Sequence, residues 1–205
     1  MRGKINKSIA ENSSRGFVKT PRGLVDEMIS KIPREMFESS TTTFLDPCCG
    51  RGIFLYAVAK ELASFGHSKE NICSRLVGVD RNPAYVNTAK RSLEHHGYGD
   101  IIVKRADALS YNFDMKFNVV IGNPPYQHTT GSSAGKPIWH LFVDVALNVC
   151  KDGGYVSLIH PFGWRNGKSK FKSISKRLRE YQIDHCVLSN YDTGIKYFRV
   201  NTTCD

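Results

Sequence analysis

The segment Asn123-Pro124-Pro125-Tyr126 directly follows the apolar run Val119-Val120-Ile121-Gly122. Two successive prolines fix φ and remove two N–H donors, so this turn is rigid. A rigid turn holds the Asn123 amide and the Pro124 carbonyl in one orientation. Two acceptors converging on an –NH₂ group turn its lone pair toward an electrophile, which is catalysis by positioning and electrostatics rather than by a strong base. Tyr126 adds a flat face on which a planar ring can stack.

Three further turns carry residues of chemical interest. The first is Asp46-Pro47-Cys48-Cys49-Gly50-Arg51-Gly52. Its glycines let the backbone approach a ligand closely and then enter a helix. A phosphate-binding loop requires Gly-Lys-Ser/Thr, which this turn lacks; the acid Asp46 suits an ammonium group instead, or the segment is a plain tight strand-to-helix turn. Asp80 ends the run Leu76-Val77-Gly78-Val79. It is placed either to accept from ribose hydroxyls or to cap the helix that Pro83 opens. Asp107 follows Arg105-Ala106 and precedes Ala108. It is either an acceptor for the exocyclic amine of an adenine ring or a plain turn residue.

Along the chain, short β-prone runs at 43–46, 75–80, 101–106, 117–122, 155–160 and 183–188 predict strands. Helical patterns at 53–63, 83–95, 138–150 and 168–181 lie between them, and Leu24, Val25, Met28, Ile29 and Ile32 predict another helix, ended by Pro33. Asp152-Gly153-Gly154 closes the helix at 138–150, and 128–136 reads as a Gly/Ser/Thr-rich loop. The alternation predicts an α/β fold, a mostly parallel central sheet with helices on both faces. Ligands of such sheets bind beyond the carboxyl ends of the strands, where all four turns lie. Residues 1–15 form a polar lead-in and 16–205 a single domain. The run from Val200 to Asp205 begins like another strand, so a longer parent chain is expected.

Composition narrows the partner. The 205 residues carry 29 Lys and Arg against 19 acids, a net +10 and a pI near 9.4, a surplus that reads either as a polyanionic partner, nucleic acid first, or as a soluble protein that is simply basic. Six cysteines show neither CxxC spacing nor a zinc-like Cys/His cluster, which predicts a reducing setting and no structural metal. No signal peptide or bilayer-length apolar run is present, so the expectation is a cytoplasmic protein with no membrane partner.

In order, Phe17 to Pro21, Asp46 to Gly52, Asp80, Asp107 and Asn123 to Tyr126 resemble the amino-group class of S-adenosylmethionine-dependent DNA methyltransferases in the gamma arrangement. The likeness covers about residues 16–203. It implies a Rossmann-like class I methyltransferase fold, S-adenosylmethionine as cofactor, and N6 of a flipped adenine in DNA as acceptor, in a bacterial or phage restriction-modification setting. The implied cofactor contacts are Phe17, Thr20, Pro21, Asp46, Pro47, Cys48, Gly50, Asp80, Asp107 and Ala108. Asn123, Pro124, Pro125 and Tyr126 are the implied catalytic residues. Phe198, with Tyr197 as the alternative, is implied to sandwich the base against Tyr126, repaying part of the few kcal/mol that flipping costs. Cys48-Cys49 departs from the small or glycine-containing pair usual in that family. The separate target-recognition domain or subunit typical of such enzymes is absent from these residues. The same Asn-Pro-Pro-Tyr resembles release-factor glutamine methyltransferases and some ribosomal RNA methyltransferases, and a non-catalytic cofactor- or nucleic-acid-binding subunit is a further reading. The basic helix with Lys168, Lys170, Lys172, Lys176, Arg177 and Arg179 is either a phosphate contact or a solvated face. The stretch from His160 to Arg165 is expected to border the substrate cleft, with His160 structural rather than an acid–base group.

Overall fold

The computed structural model describes residues 19–128, 135–165 and 170–188. The elements are α1 (Arg22–Ser30), α2 (Glu35–Glu38), β1 (Phe44–Asp46), α3 (Ile53–Ser64), α4 (Lys69–Arg75), β2 (Leu76–Asp80), α5 (Pro83–His95), β3 (Ile102–Arg105), β4 (Phe117–Gly122), α6 (Trp139–Val149), β5 (Cys150–Leu158), a 3₁₀ turn (Phe162–Arg165) and α7 (Lys172–Leu178). The strands form one parallel sheet in the order β3-β2-β1-β4-β5. The chain winds outward from β1 in both directions, so the switch point falls between β1 and β4, where ligands of doubly wound sheets bind.

Alternation along each strand sorts side chains to two apolar layers. Phe44, Leu76, Val103, Val119 and Ile121 pack with Val25 of α1, Phe54 and Leu62 of α3, Ile72 of α4 and Leu93 of α5. Leu45, Val79 and Val120 face the other way, onto Phe142 and Ala146 of α6. Strands buried on both faces read as continuous apolar runs, as 119–121 does. Local signals set the helix starts: Asn82 caps α5 by accepting from the Ala84 N–H at 2.9 Å, with Pro83 next to it. No helix among the described residues is long and apolar enough to cross a membrane.

Three expectations need correction. Residues 183–188 form no strand; Ile183, Val187 and Leu188 are each more than half exposed. β-prone residues make a strand only where they pair in a ladder, and 183–188 pair with no strand among the described residues, although they share a groove with the edge strand β5. Asp152-Gly153-Gly154 does not end a helix but lies inside β5, which starts at Cys150. The ladder to β4 pairs Phe117 with Cys150, shifts, and resumes at Val119 with Tyr155, while Gly153 takes φ +73°. The basic helix is shorter than its pattern, covering Lys172–Leu178, and its Arg177 is tied to Asp144 of α6 at 2.6 Å. Two helices, α2 and α4, went unread because they are only 4 and 7 residues long, too short to show a period. The polar lead-in and the strand beginning at Val200 lie outside the described residues.

Candidate active site

Asp46 closes β1 and is 1% exposed. Its Oδ1 accepts the Cys48 N–H at 3.0 Å, while its Oδ2, also buried, has no hydrogen-bond partner. Burial pushes its carboxyl up to about 7; the Cys48 N–H opposes this and the Asp80 charge adds to it. The chain then turns through Gly50 and Gly52 into α3. Gly52 takes φ +83°, and a Cβ there would stand 3.2 Å from the Ala89 Cβ of α5. That geometry needs glycine both for the left-handed backbone and for the close helix approach.

Asp80 ends β2 and joins two turns. Its Oδ2 accepts the Gly50 N–H at 2.9 Å and its Oδ1 accepts the Asn82 N–H at 2.8 Å. It is therefore not the cap of α5, which Asn82 supplies. Burial raises its pKa, the Asn82 and Gly50 N–H groups lower it, and the nearby Arg81 lowers it further. Each carboxylate oxygen keeps a lone pair for another donor. Asp107 follows β3 as an exposed turn residue whose Oδ1 accepts the Leu109 N–H at 3.1 Å. The turn role and the cleft role coincide there, and Ala108 beside it is buried.

β4 ends at Gly122, where a Cβ would come within 2.8 Å of Asp46 Oδ1. Asn123 thus begins its turn directly alongside Asp46. The Asn123 Nδ2–H donates to Thr20 Oγ1 at 3.0 Å, and Asn123 Oδ1 is buried without a partner. Beyond the turn, the Ile138 N–H donates to the Tyr126 carbonyl at 3.1 Å, and Gln127 pairs with Pro137 in an antiparallel bridge that returns the chain to α6.

These strand ends enclose one cleft of about 300 Å³. Thr20, Asp46, Pro47, Cys48, Gly50, Asp80, Asp107, Ala108, Asn123, Pro124 and Pro125 all line it. Pro21 does not; it precedes α1, and its carbonyl accepts the Leu24 and Val25 N–H groups. Tyr126 is not in the wall either, because its ring packs beside Trp139 and Ile174 as well as against the main core. Phe17, Phe198 and Tyr197 lie outside the described residues. The sequence reading missed Lys19, Arg51 and Tyr85, which also line the cleft, with the Arg51 guanidinium 5.8 Å from the Tyr85 ring centre. A signal for Tyr85 existed: it sits in the first turn of α5, next to Asp80.

The stretch from His160 onward does not border this cleft. His160 and Trp164 line a larger groove of about 860 Å³ along β5. His160 stacks on Trp139 with ring centres 5.1 Å apart and planes 7° from parallel. Burial lowers its pKa, so it is neutral at pH 7. Among the described residues no group of three or more His, Cys, Asp or Glu side chains is placed to hold a metal.

With that geometry in place, comparison with known proteins is decisive at the family level. The family model described as Eco57I restriction-modification methylase matches residues 74–193, more than half of the chain. The chain belongs to the Eco57I methylase family. Its fold is that of class I S-adenosylmethionine-dependent methyltransferases. The chain is similar to a type II methyltransferase, M.VspI, of Vibrio sp. (strain 343), 28% identical over 196 residues, covering 86% of this chain and 45% of that protein. It is also similar to a tRNA (guanine(10)-N2)-dimethyltransferase of Methanothermobacter thermautotrophicus, 29% identical over 119 residues, 57% of this chain and 32% of that protein. The solved methyltransferase subunit of a type I restriction-modification system from Streptococcus thermophilus superimposes with a TM-score of 0.61 at 18% identity, over 80% of this chain and 38% of that one. The chain thus spans about a third to a half of the length of these proteins.

The cleft of this Eco57I-family chain fits an S-adenosylmethionine-like ligand on its own observations. The orphaned Asp46 Oδ2 suits an ammonium group, Asp80 has acceptor capacity left for a vicinal diol, and Ala106 to Leu109 offer an apolar wall beside the Asp107 acceptor.

Proposed function

We propose that the chain holds S-adenosylmethionine in this cleft and methylates N6 of an adenine flipped out of DNA. The observation that carries the reading is the buried, unpartnered Asn123 Oδ1 beside the rigid Pro-Pro turn. Leaving a buried acceptor unpaired costs about 1–3 kcal/mol, and an incoming N–H donor recovers it. The bound cofactor supplies a methyl group on a positively charged sulfur. Asn123 Oδ1 and the Pro124 carbonyl accept the two N–H bonds of the amine and aim its lone pair into the cleft. Asp46 holds the ammonium end, Asp80 the ribose, and Asp107 with Ala108 the adenine. The ring of Tyr126 backs the turn from the side of Trp139 and Ile174, and in this reading it must leave that packing to stack the extruded base together with Phe198.

DNA is the favoured substrate on two supports, the restriction-modification family to which the chain belongs and the net charge of +10. In this reading the chain is one catalytic domain of a cytoplasmic, adenine-specific enzyme, with site choice supplied by a further domain or subunit. The similarity to a tRNA guanine-N2 methyltransferase makes RNA the competing substrate. The test is transfer of labelled methyl from S-adenosylmethionine to unmethylated DNA, to tRNA and to a release factor. Label recovered as N6-methyladenine in DNA is the expected result; label confined to RNA or protein overturns it.

A further inference from the structure

Thr20 and Asn123 are 103 residues apart in sequence and 3.0 Å apart in space. Thr20 is 5% exposed and lines the same cleft as Asp46 and Asn123. The proline after it biases Thr20 toward extended backbone, and the Pro21 carbonyl is fastened to the first turn of α1 by two N–H groups. The hydroxyl is therefore held by the fold rather than by a free chain end.

An asparagine amide presents an oxygen on one side and an –NH₂ on the other, in nearly the same shape, so a half-turn exchanges acceptor for donor. The proline pair fixes the backbone but not this choice. Only the orientation with Oδ1 facing the cleft can accept from an amine. A threonine hydroxyl carries one donor and two acceptor lone pairs, so it can satisfy the amide either way. When its O–H donates to Asn123 Oδ1, the –NH₂ faces the cleft and the site repels an amine. When its oxygen accepts from Nδ2, as here, Oδ1 is turned away from Thr20, buried and without a partner on a residue that lines the cleft, and the hydroxyl proton is left over. That proton then needs an acceptor inside the cleft, and a carboxylate near the ammonium site at Asp46 would serve.

Resting on the reading of Asn123 as the amine acceptor, we propose that Thr20 is a positioning residue. Its hydroxyl sets the polarity of the Asn123 amide, and a carboxylate-bearing amino-acid group in the cleft locks that setting by taking the Thr20 proton in a hydrogen bond. The cofactor's amino-acid end and the catalytic amide are thereby coupled through one side chain. Occupancy of the cleft prepares Asn123 for the base, which favours cofactor binding before substrate.

The test uses Thr20→Val, which keeps the shape and removes the hydroxyl, and Thr20→Ser, which restores it. The Asn123 side-chain amide is followed by ¹⁵N–¹H spectroscopy, assigned through its loss in Asn123→Asp, with and without S-adenosylhomocysteine. In the wild type, S-adenosylhomocysteine is expected to slow exchange of one Nδ2 proton with water. Thr20→Val is expected to shift the amide signals and abolish that slowing, and to lower transfer at saturating S-adenosylmethionine by roughly 10- to 100-fold, with Tm falling only by the roughly 2–10 °C that one unpaired buried amide costs. Thr20→Ser returns both readouts to within about threefold of wild type. Amide signals in Thr20→Val that match wild type overturn the proposal, as does an unchanged transfer rate once the signals have shifted. If the wild type methylates no acceptor at all, the methyltransferase reading fails, and the amide exchange still decides the Thr20 link.

Discussion

Replacing Asp46 by asparagine keeps the size of the side chain and an Oδ1 to accept from Cys48 while removing a buried charge. The carboxyl ordinarily titrates near 3.8 and is pushed to about 7 in the fold, chiefly by burial. The folded state therefore prefers the neutral form, and the sign follows from linkage. Between these two values the folded chain binds more protons than the unfolded chain, so stability falls as pH rises. The contribution is fully present below pH 3.8 and lost above about pH 7. At about 1.36 kcal/mol per pH unit the full loss is about 4 kcal/mol, of which about 3 kcal/mol falls between pH 5 and pH 8. The amide of the variant cannot titrate. The assay is urea unfolding of both proteins without ligand at several pH values. The wild-type curve should fall relative to Asp46→Asn by about 3 kcal/mol across that window. Ligand binding reverses the preference, because an ammonium beside Asp46 favours the carboxylate. S-adenosylmethionine should then bind wild type about tenfold more weakly for each pH unit below 7, with proton release, and the variant should lose the part of this dependence that Asp46 supplies. Parallel stability curves for the two proteins would refute the buried, uncompensated Asp46.

Asp80→Ala removes an acceptor of two N–H bonds together with its remaining lone pairs; calorimetry should show the S-adenosylmethionine Kd rising roughly 10- to 100-fold, with transfer at saturation within a few-fold of wild type. Asn123→Ala should do the reverse, abolishing transfer while cofactor affinity stays within a few-fold; loss of cofactor binding with turnover intact would contradict the role given to Asn123. In Gly122→Ala the new Cβ would press on Asp46 Oδ1 at 2.8 Å, and because that carboxylate is buried the expected cost is about 1–3 kcal/mol by denaturant unfolding. A variant as stable as wild type would show that β1 and β4 can part at the switch point.

The sheet and its ligand end were legible in the sequence because their signals are local. An apolar run followed by a turn marks a strand end wherever the strand finally lies, so Asp46, Asp80, Asp107 and Asn123 were readable one at a time. Capping is equally local, and Pro83–His95 matched its expected bounds. Residues 183–188 misled because β-propensity says nothing of whether the segment pairs with the strand it runs near. Asp152-Gly153-Gly154 misled because the same glycines that end a helix also serve an irregular ladder.

Residue types and their spacing were enough to say which groups stand at the strand ends and what each can donate or accept. Which of them meet is a property of the folded chain. The order β3-β2-β1-β4-β5 places Asp46 against Gly122, and the course of the N-terminal segment places Thr20 on Asn123. Burial, which depends on the whole assembly, moved the Asp46 carboxyl to about 7 and left its Oδ2 without a partner. Tyr126 shows the same division: its aromatic type is written in the chain, but the packing of Trp139 and Ile174 around it is not. The physical reason is that hydrogen-bond capacity belongs to a residue, whereas partner, burial and charge state depend on neighbours brought from elsewhere in the chain.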